Sequence, residues 1–121
     1  MEEITINGRV YVPKDEVNAL APAEPLDGMP YCMVRTYSAG VFAGYIKERN
    51  GKEVTLVNAR RIWRWAGAAS LSQLATDGTS NPENCMFPCK VSSVTLTEVI
   101  EIIPITDKAK KSIDEVPVWT K

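Results

Sequence analysis

The dipeptide Asn50-Gly51 stands between two runs of strand-forming residues, and it leaves a chain like this few folds to choose from. Asn-Gly supplies the positive φ angles that a type I′ turn demands at both central positions. Val41 to Arg49 precedes it and Lys52 to Ala59 returns from it. Tyr31 to Tyr37, also rich in strand formers, leads in through the small residues Ser38-Ala39-Gly40. The three runs predict an antiparallel meander. The same turn signal recurs at Asn7-Gly8, between Ile4-Thr5-Ile6 and Arg9 to Val12, with Ile4, Ile6, Val10 and Val12 alternating and Pro13 closing the hairpin. Pro22, Pro25 and Pro30 exclude a long helix or a central strand from residues 14–30, leaving a connector with one helical turn over 14–20. A hairpin this short is not stable alone. The chain therefore reads as one domain over 1–121: hairpin 1–13, connector 14–30 and core 31–121.

The second half adds helices. Ser70 and Gln73 fit a capping box, which predicts a helix over 69–77 with Leu71, Leu74 and Ala75 inward and Gly78 as its stop. Residues 79–90 read as an irregular loop plugged into the core by Met86 and Phe87. Val91 to Ile103 reads as one long strand or two joined at a bulge, ended by Pro104. Thr106 caps a final helical turn, Asp107 to Asp114, with Ile113 inward. Trp119, near the end of an apolar tail, is expected to dock within the subunit or across a dimer. The fold class is α+β: an antiparallel meander with one or two short helices.

Composition narrows the chemistry. At 121 residues and 45% hydrophobic, the chain has room for one modest core and is too apolar for disorder. A net charge of −1 creates no long-range field to draw in DNA or a membrane. No apolar run approaches the roughly 20 residues of a membrane span. The acidic start, Met-Glu-Glu-Ile-Thr-Ile, has no signal-peptide pattern, so a cytosolic protein is expected. The absence of histidine removes the commonest general base and every Ser-His or Cys-His nucleophile. Cys32, Cys85 and Cys89 are an odd number, against a disulfide framework. A structural zinc would need four ligands, so the Cys-x3-Cys of residues 85–89 predicts no metal, and the thiols read as buried or reduced. No cofactor is expected.

Half of the six arginines fall in Arg60-Arg61-Ile62-Trp63-Arg64-Trp65. Arginines fork onto phosphates and aromatic faces accept flat bases, so this stretch fits a phosphorylated, base-containing ligand. Equally, the tryptophans can be core and the arginines solvated or paired with Glu48, Glu53 or Glu98. If the third strand runs on extended, Arg61, Trp63 and Trp65 share a face with Val57, and Asn58, Arg60, Ile62 and Arg64 take the other. An unpaired arginine is not tolerated in a core, so part of the stretch should face solvent, a ligand or a partner. Arg35 to Tyr45 holds a second candidate: a small-residue bend at Ser38-Ala39-Gly40 whose N–H groups approach a phosphate, flanked by Arg35 and by Phe42. Its alternative is structural, with Gly40 making a turn and Gly44 lying under a bulky neighbour. The stretch is neither a P-loop nor a Rossmann fingerprint.

Arg35 to Tyr45 and Asn58 to Ala75, with Leu96 to Ile102 and Lys111 to Trp119, resemble the phage anti-Thoeris sponge proteins, the first Thoeris anti-defence family, across residues 31–119. The resemblance implies a phage protein in the cytoplasm of the infected bacterium. It would bind a cyclic ADP-ribose isomer, the Thoeris signal, without cleaving it. It implies a homo-oligomer, dimer or hexamer, with ligand pockets between subunits, and in some members separate sites for the cyclic trinucleotides of CBASS defence. Arg60, Arg61 and Arg64 would neutralise the diphosphate; Phe42, Trp63 or Trp65 would stack the adenine; Asn58, Thr36 and Ser38 would bond ribose hydroxyls or base edges. Arg35, Ala39 and Gly40 complete the candidate set. Two other readings stand beside this one: a hydrolase of such a nucleotide using Glu or Asp bases, and a nucleic-acid-binding module, which the net charge opposes.

Overall fold

The structure, a computed structural model, describes residues 4–6, 9–11 and 21–120. Strands β1 (Ile4–Ile6) and β2 (Arg9–Tyr11) pair antiparallel with Ile4 opposite Tyr11, as the hairpin reading expects. Their Asn7-Gly8 turn, Val12, Pro13 and the helical turn over 14–20 lie outside the described residues. The meander follows as β3 (Tyr31–Thr36), β4 (Val41–Asn50) and β5 (Glu53–Arg61). The turn between β4 and β5 falls one residue later than expected: Asn50 still pairs with Glu53 as the last residue of β4, so Gly51 and Lys52 make the turn. Gly51 has φ +62° but Asn50 and Lys52 do not take positive φ, so the type I′ turn expected on Asn50-Gly51 is not the one formed.

The run from 91 to 103 is two strands, β6 (Lys90–Leu96) and β7 (Val99–Pro104), and no bulge joins them. The sheet order is β6-β5-β4-β3-β7, antiparallel throughout, so these consecutive strands sit at opposite edges. Only Thr97 and Glu98 lie between them. Three peptide steps reach at most about 11 Å. Four strand spacings across a flat sheet are about 19 Å. The sheet must therefore roll, and Val99 N–H closes the roll by donating to Lys52 O in the turn just before β5, 3.0 Å away.

Rolling separates two cores. Cys32, Val34, Phe42, Val54, Leu56, Ala59, Leu96 and Val99 pack together on the inner face. On the outer face Tyr31, Met33 and Ala43 meet two helices, α1 (Leu71–Asp77) and α2 (Asp107–Glu115). Ser70 Oγ accepts from Gln73 N–H at 3.2 Å and Gly78 N–H returns to Leu74 O at 3.0 Å, so α1 starts and stops where its caps predict. Thr106 Oγ1 accepts from Ala109 N–H at 3.0 Å at the start of α2, and Ile113 is fully buried. The connector docks rather than floats: Ala23 N–H bonds Ile105 O at 2.9 Å and Ala23 is buried. Residues 79–90 are less irregular than expected. Pro82–Asn84 is a 3-10 turn, Met86 bridges Arg64, and fully buried Phe87 bridges Val118. Trp119 N–H donates to Phe87 O at 3.0 Å, so the tail docks within the subunit, with the residue 43% exposed.

Candidate functional site

The site begins with a bulge. Val57 pairs with Tyr45 and Arg60 with Ala43, so β5 spends three residues where β4 spends two. The extra residue fits because Asn58 takes φ +51°, a left-handed conformation that Asn tolerates better than most residues. Opposite it, Gly44 has no side chain; a Cβ there would lie 3.0 Å from Ala59 Cα. The bulge reverses the expected facing. Arg60, not Arg61, shares the outer face with Val57, while Arg61 pairs with Phe42 on the inner one. Neighbouring arginines are thus sent to opposite sides of the sheet.

Arg60 goes inward, 2% exposed. Its Nε donates to Pro88 O at 2.9 Å, Nη1 to Ile113 O at 2.9 Å, and Nη2 to Phe87 O at 3.1 Å and Val116 O at 2.8 Å. The guanidinium stands 5.4 Å from the Phe87 ring centroid. It caps the C-terminus of α2, adding to the Val116 N–H on Ile113 O and supplying the donor for Val116 O, where the helix dipole favours a cation. Burial pulls its pKa down, and nearby Tyr31 and Asp114 oppose that pull. Four of its five N–H donors are spent on the chain itself, so Arg60 leaves the candidate ligand set and becomes an internal staple.

Arg61 goes to the rim. Its guanidinium carbon lies 4.3 Å from the Phe42 ring centroid and its Nη1 donates to Ala39 O. The loop carrying Ala39 is closed by Thr36, whose N–H and Oγ1–H both donate to Gly40 O, at 3.0 and 2.8 Å. Gly40 has φ +93°, which disfavours any side chain. Ser38, Ala39, Gly40, Val41, Arg61, Ile62, Trp63 and Trp65 line a cavity of about 220 Å³ between this loop and the end of β5. Trp63 is 62% exposed, its N–H held by Met86 O at 3.2 Å. Trp65 is half-buried against the outer core.

The structure therefore gathers Ser38, Ala39, Gly40, Arg61 and Trp63 from the two expected stretches around one cavity. Phe42 lies under it, 3% exposed beneath Arg61, with no free face for a base. Thr36 is buried and its hydroxyl proton is committed to Gly40 O. Arg35 is ion-paired across strands with Glu101 at 3.0 Å. Asn58 and Arg64 are exposed but do not line the cavity. Among the described residues no arginine pairs with Glu48, Glu53 or Glu98, and Arg61 and Arg64 have no carboxylate within ion-pair distance. Val41 and Ile62, absent from the expected set, supply the apolar wall. Their apolar character alone carried no signal, because it suits any strand.

A larger hollow of about 540 Å³ lies between the end of α1 and α2. Its charges largely satisfy one another, Lys108 with Asp77 at 3.7 Å and Lys111 with Asp107 at 3.0 Å, so it offers a ligand little uncompensated charge. Among the described residues no cluster of three or more Cys, Asp or Glu is placed to hold a metal ion. Cys32, Cys85 and Cys89 are free thiols, and burial raises the pKa of Cys32. No helix among the described residues is long and apolar enough to cross a membrane.

Fold and site together define a small α+β domain with a rolled antiparallel sheet and an arginine-tryptophan cavity at the loop between its first two meander strands. The chain belongs to the family described as Domain of unknown function (DUF6948), which matches residues 29–113. Comparison with curated proteins and with solved structures gives no match.

Proposed function

We propose that this chain binds a cyclic ADP-ribose-type signalling nucleotide and holds it without cleaving it, as the anti-Thoeris sponge proteins it resembles do. The observation that carries the reading is Arg61: a guanidinium without a carboxylate partner among the described residues, stacked on Phe42 and tied to Ala39 O beside exposed Trp63. A cation fixed in place beside a bare indole suits a ligand that carries both a diphosphate and a purine. Holding without turnover requires affinity but no preferential stabilisation of a transition state. The sequence contains no histidine to act as a general base near neutral pH.

The cavity, about 220 Å³, falls below the roughly 300–1,000 Å³ usual for small-molecule sites. In this reading it takes one end of the nucleotide, and a second copy of the chain in a dimer or hexamer covers the rest. The protein would act in the cytoplasm of a phage-infected bacterium, keeping the signal from its effector. In some members of the resembled family cyclic trinucleotides of CBASS defence occupy separate sites, and the test below decides whether this chain has one.

The test is incubation with a panel of cyclic ADP-ribose isomers and cyclic trinucleotides, filtration, heat release and mass identification. An isomer retained and released unchanged is the expected result. Conversion to a new mass would make the protein a nucleotide hydrolase, and retention of nothing would overturn the reading.

A further inference from the structure

Phe42 and Trp63 are both aromatic and belong to the same corner of the fold, yet they are placed in opposite ways. Phe42 is 3% exposed with the Arg61 guanidinium over its ring; Trp63 is 62% exposed. We propose that the site reads its ligand in two separable parts, a diphosphate at Arg61 and the Ser38–Gly40 loop, and a flat ring on Trp63, with Phe42 acting only as a positioning residue for Arg61. This deepens the nucleotide-binding reading and rests on it.

The anionic half is built from three features. The Phe42 ring below and Ala39 O at one edge restrict the orientation of the Arg61 guanidinium, and that single internal bond leaves four of its five N–H donors to spend. Two bonds from Thr36 hold the Gly40 carbonyl. Among the described residues, the N–H groups of Ser38, Ala39 and Gly40 have no hydrogen-bond acceptor. A run of open peptide N–H groups at a left-handed glycine, next to a fixed guanidinium, is chemistry that suits phosphate oxygens. The ring-binding half is independent of it. The Trp63 backbone is anchored to Met86 O, and its mostly exposed indole offers a stacking surface that needs no charge.

The experiment uses inorganic pyrophosphate and adenosine as separate probes, each measured directly by calorimetry and as a competitor of a retained cyclic ADP-ribose isomer. In the unmodified protein both fragments bind. Phe42→Leu, which keeps an apolar plug but removes the platform under Arg61, weakens pyrophosphate about tenfold and leaves adenosine unchanged. Trp63→Ala does the reverse, and Trp63→Phe restores adenosine. Near-ultraviolet circular dichroism and thermal melts establish that each variant is folded. Equal weakening of both fragments by Phe42→Leu, or none, overturns the proposal, as does failure of both fragments to bind the unmodified protein. If fragments bind as described but no cyclic ADP-ribose isomer is retained, the two-part site stands and the sponge reading fails.

Discussion

Arg60→Met should be among the most damaging single changes in this chain, while Arg61→Met, one residue on, should cost only about a third as much. The Met side chain keeps much of the apolar stem of Arg60 but removes every donor. Four backbone carbonyls, those of Phe87, Pro88, Ile113 and Val116, then lose bonds of 2.8–3.1 Å. Phe87 O keeps the Trp119 N–H and Ile113 O keeps the Val116 N–H, so only Pro88 O and Val116 O are left without a donor among the described residues. A hydrogen bond to a charged donor contributes about 1.5–3 kcal/mol, and a buried acceptor left empty costs about 1–3 kcal/mol. Water entry and the release of a buried charge from its desolvation cost offset part of the sum. The expected loss is about 4 kcal/mol, a large share of the roughly 5–15 kcal/mol that holds a small domain together. Arg61 gives up one hydrogen bond and a half-exposed cation–π contact, together about 1–1.5 kcal/mol. Urea melts followed by tryptophan fluorescence would measure both, with an unchanged m-value licensing the comparison. A thermal melt should show Arg60→Met lower by about 15 °C. If Arg60→Met costs less than about 1 kcal/mol, or no more than Arg61→Met, then the staple is not what joins α2 and the Phe87 segment to the sheet.

Gly44→Ala should destabilise by about 1–3 kcal/mol, because the new methyl meets Ala59 Cα at 3.0 Å opposite the bulge; chemical denaturation checks it. Tyr31→Phe should be neutral or stabilising by up to about 1 kcal/mol, since the buried Tyr31 hydroxyl has no partner among the described residues; burial, then Asp114 and Tyr45, already push its pKa well above the usual tyrosine range. Asp114 resists desolvation through a 2.7 Å bond from Lys110 and a 3.2 Å ion pair with Lys90, which together hold its pKa below the ordinary value. A depressed carboxylate stabilises the fold above its unfolded pKa and loses that contribution as pH falls through the folded one. The melting temperature should therefore drop from pH 5 toward pH 2 more steeply in the native chain than in Asp114→Asn.

The meander was legible because its signals are local: Asn50-Gly51 sits at a reversal that β-branched and aromatic runs flank on both sides. The same is true of α1 and α2, whose starts are written in Ser70, Gln73 and Thr106. The roll was not legible, since Thr97-Glu98 reads equally well as a kink within one strand. What decides is which edges β6 and β7 find, and that depends on strands far away in the chain. Arg60 and Arg61 were indistinguishable as sequence, being the same residue type side by side. Their fates diverge because Asn58 absorbs one extra residue and because four carbonyls converge from the 87–88 segment and the end of α2. Backbone carbonyls carry no residue-type signature, so no pattern could have announced them.

The brevity of the Thr97-Glu98 link also bears on how the chain reaches its fold. The β3–β4 and β4–β5 pairings are hairpins that can form from neighbouring residues alone. The β7–β3 pairing sets Val99 beside Thr36, with the rest of the sheet and α1 lying between them in the chain. Contacts of such separation carry their loop-closure entropy before they return any stabilisation. Strand β7 has no seat until the meander has curved far enough for two residues to span from edge to edge. Closure is therefore a late event in synthesis as well as in refolding, and a nascent chain that has not yet delivered Val99 to Pro104 would expose the β3 edge as an unpaired strand.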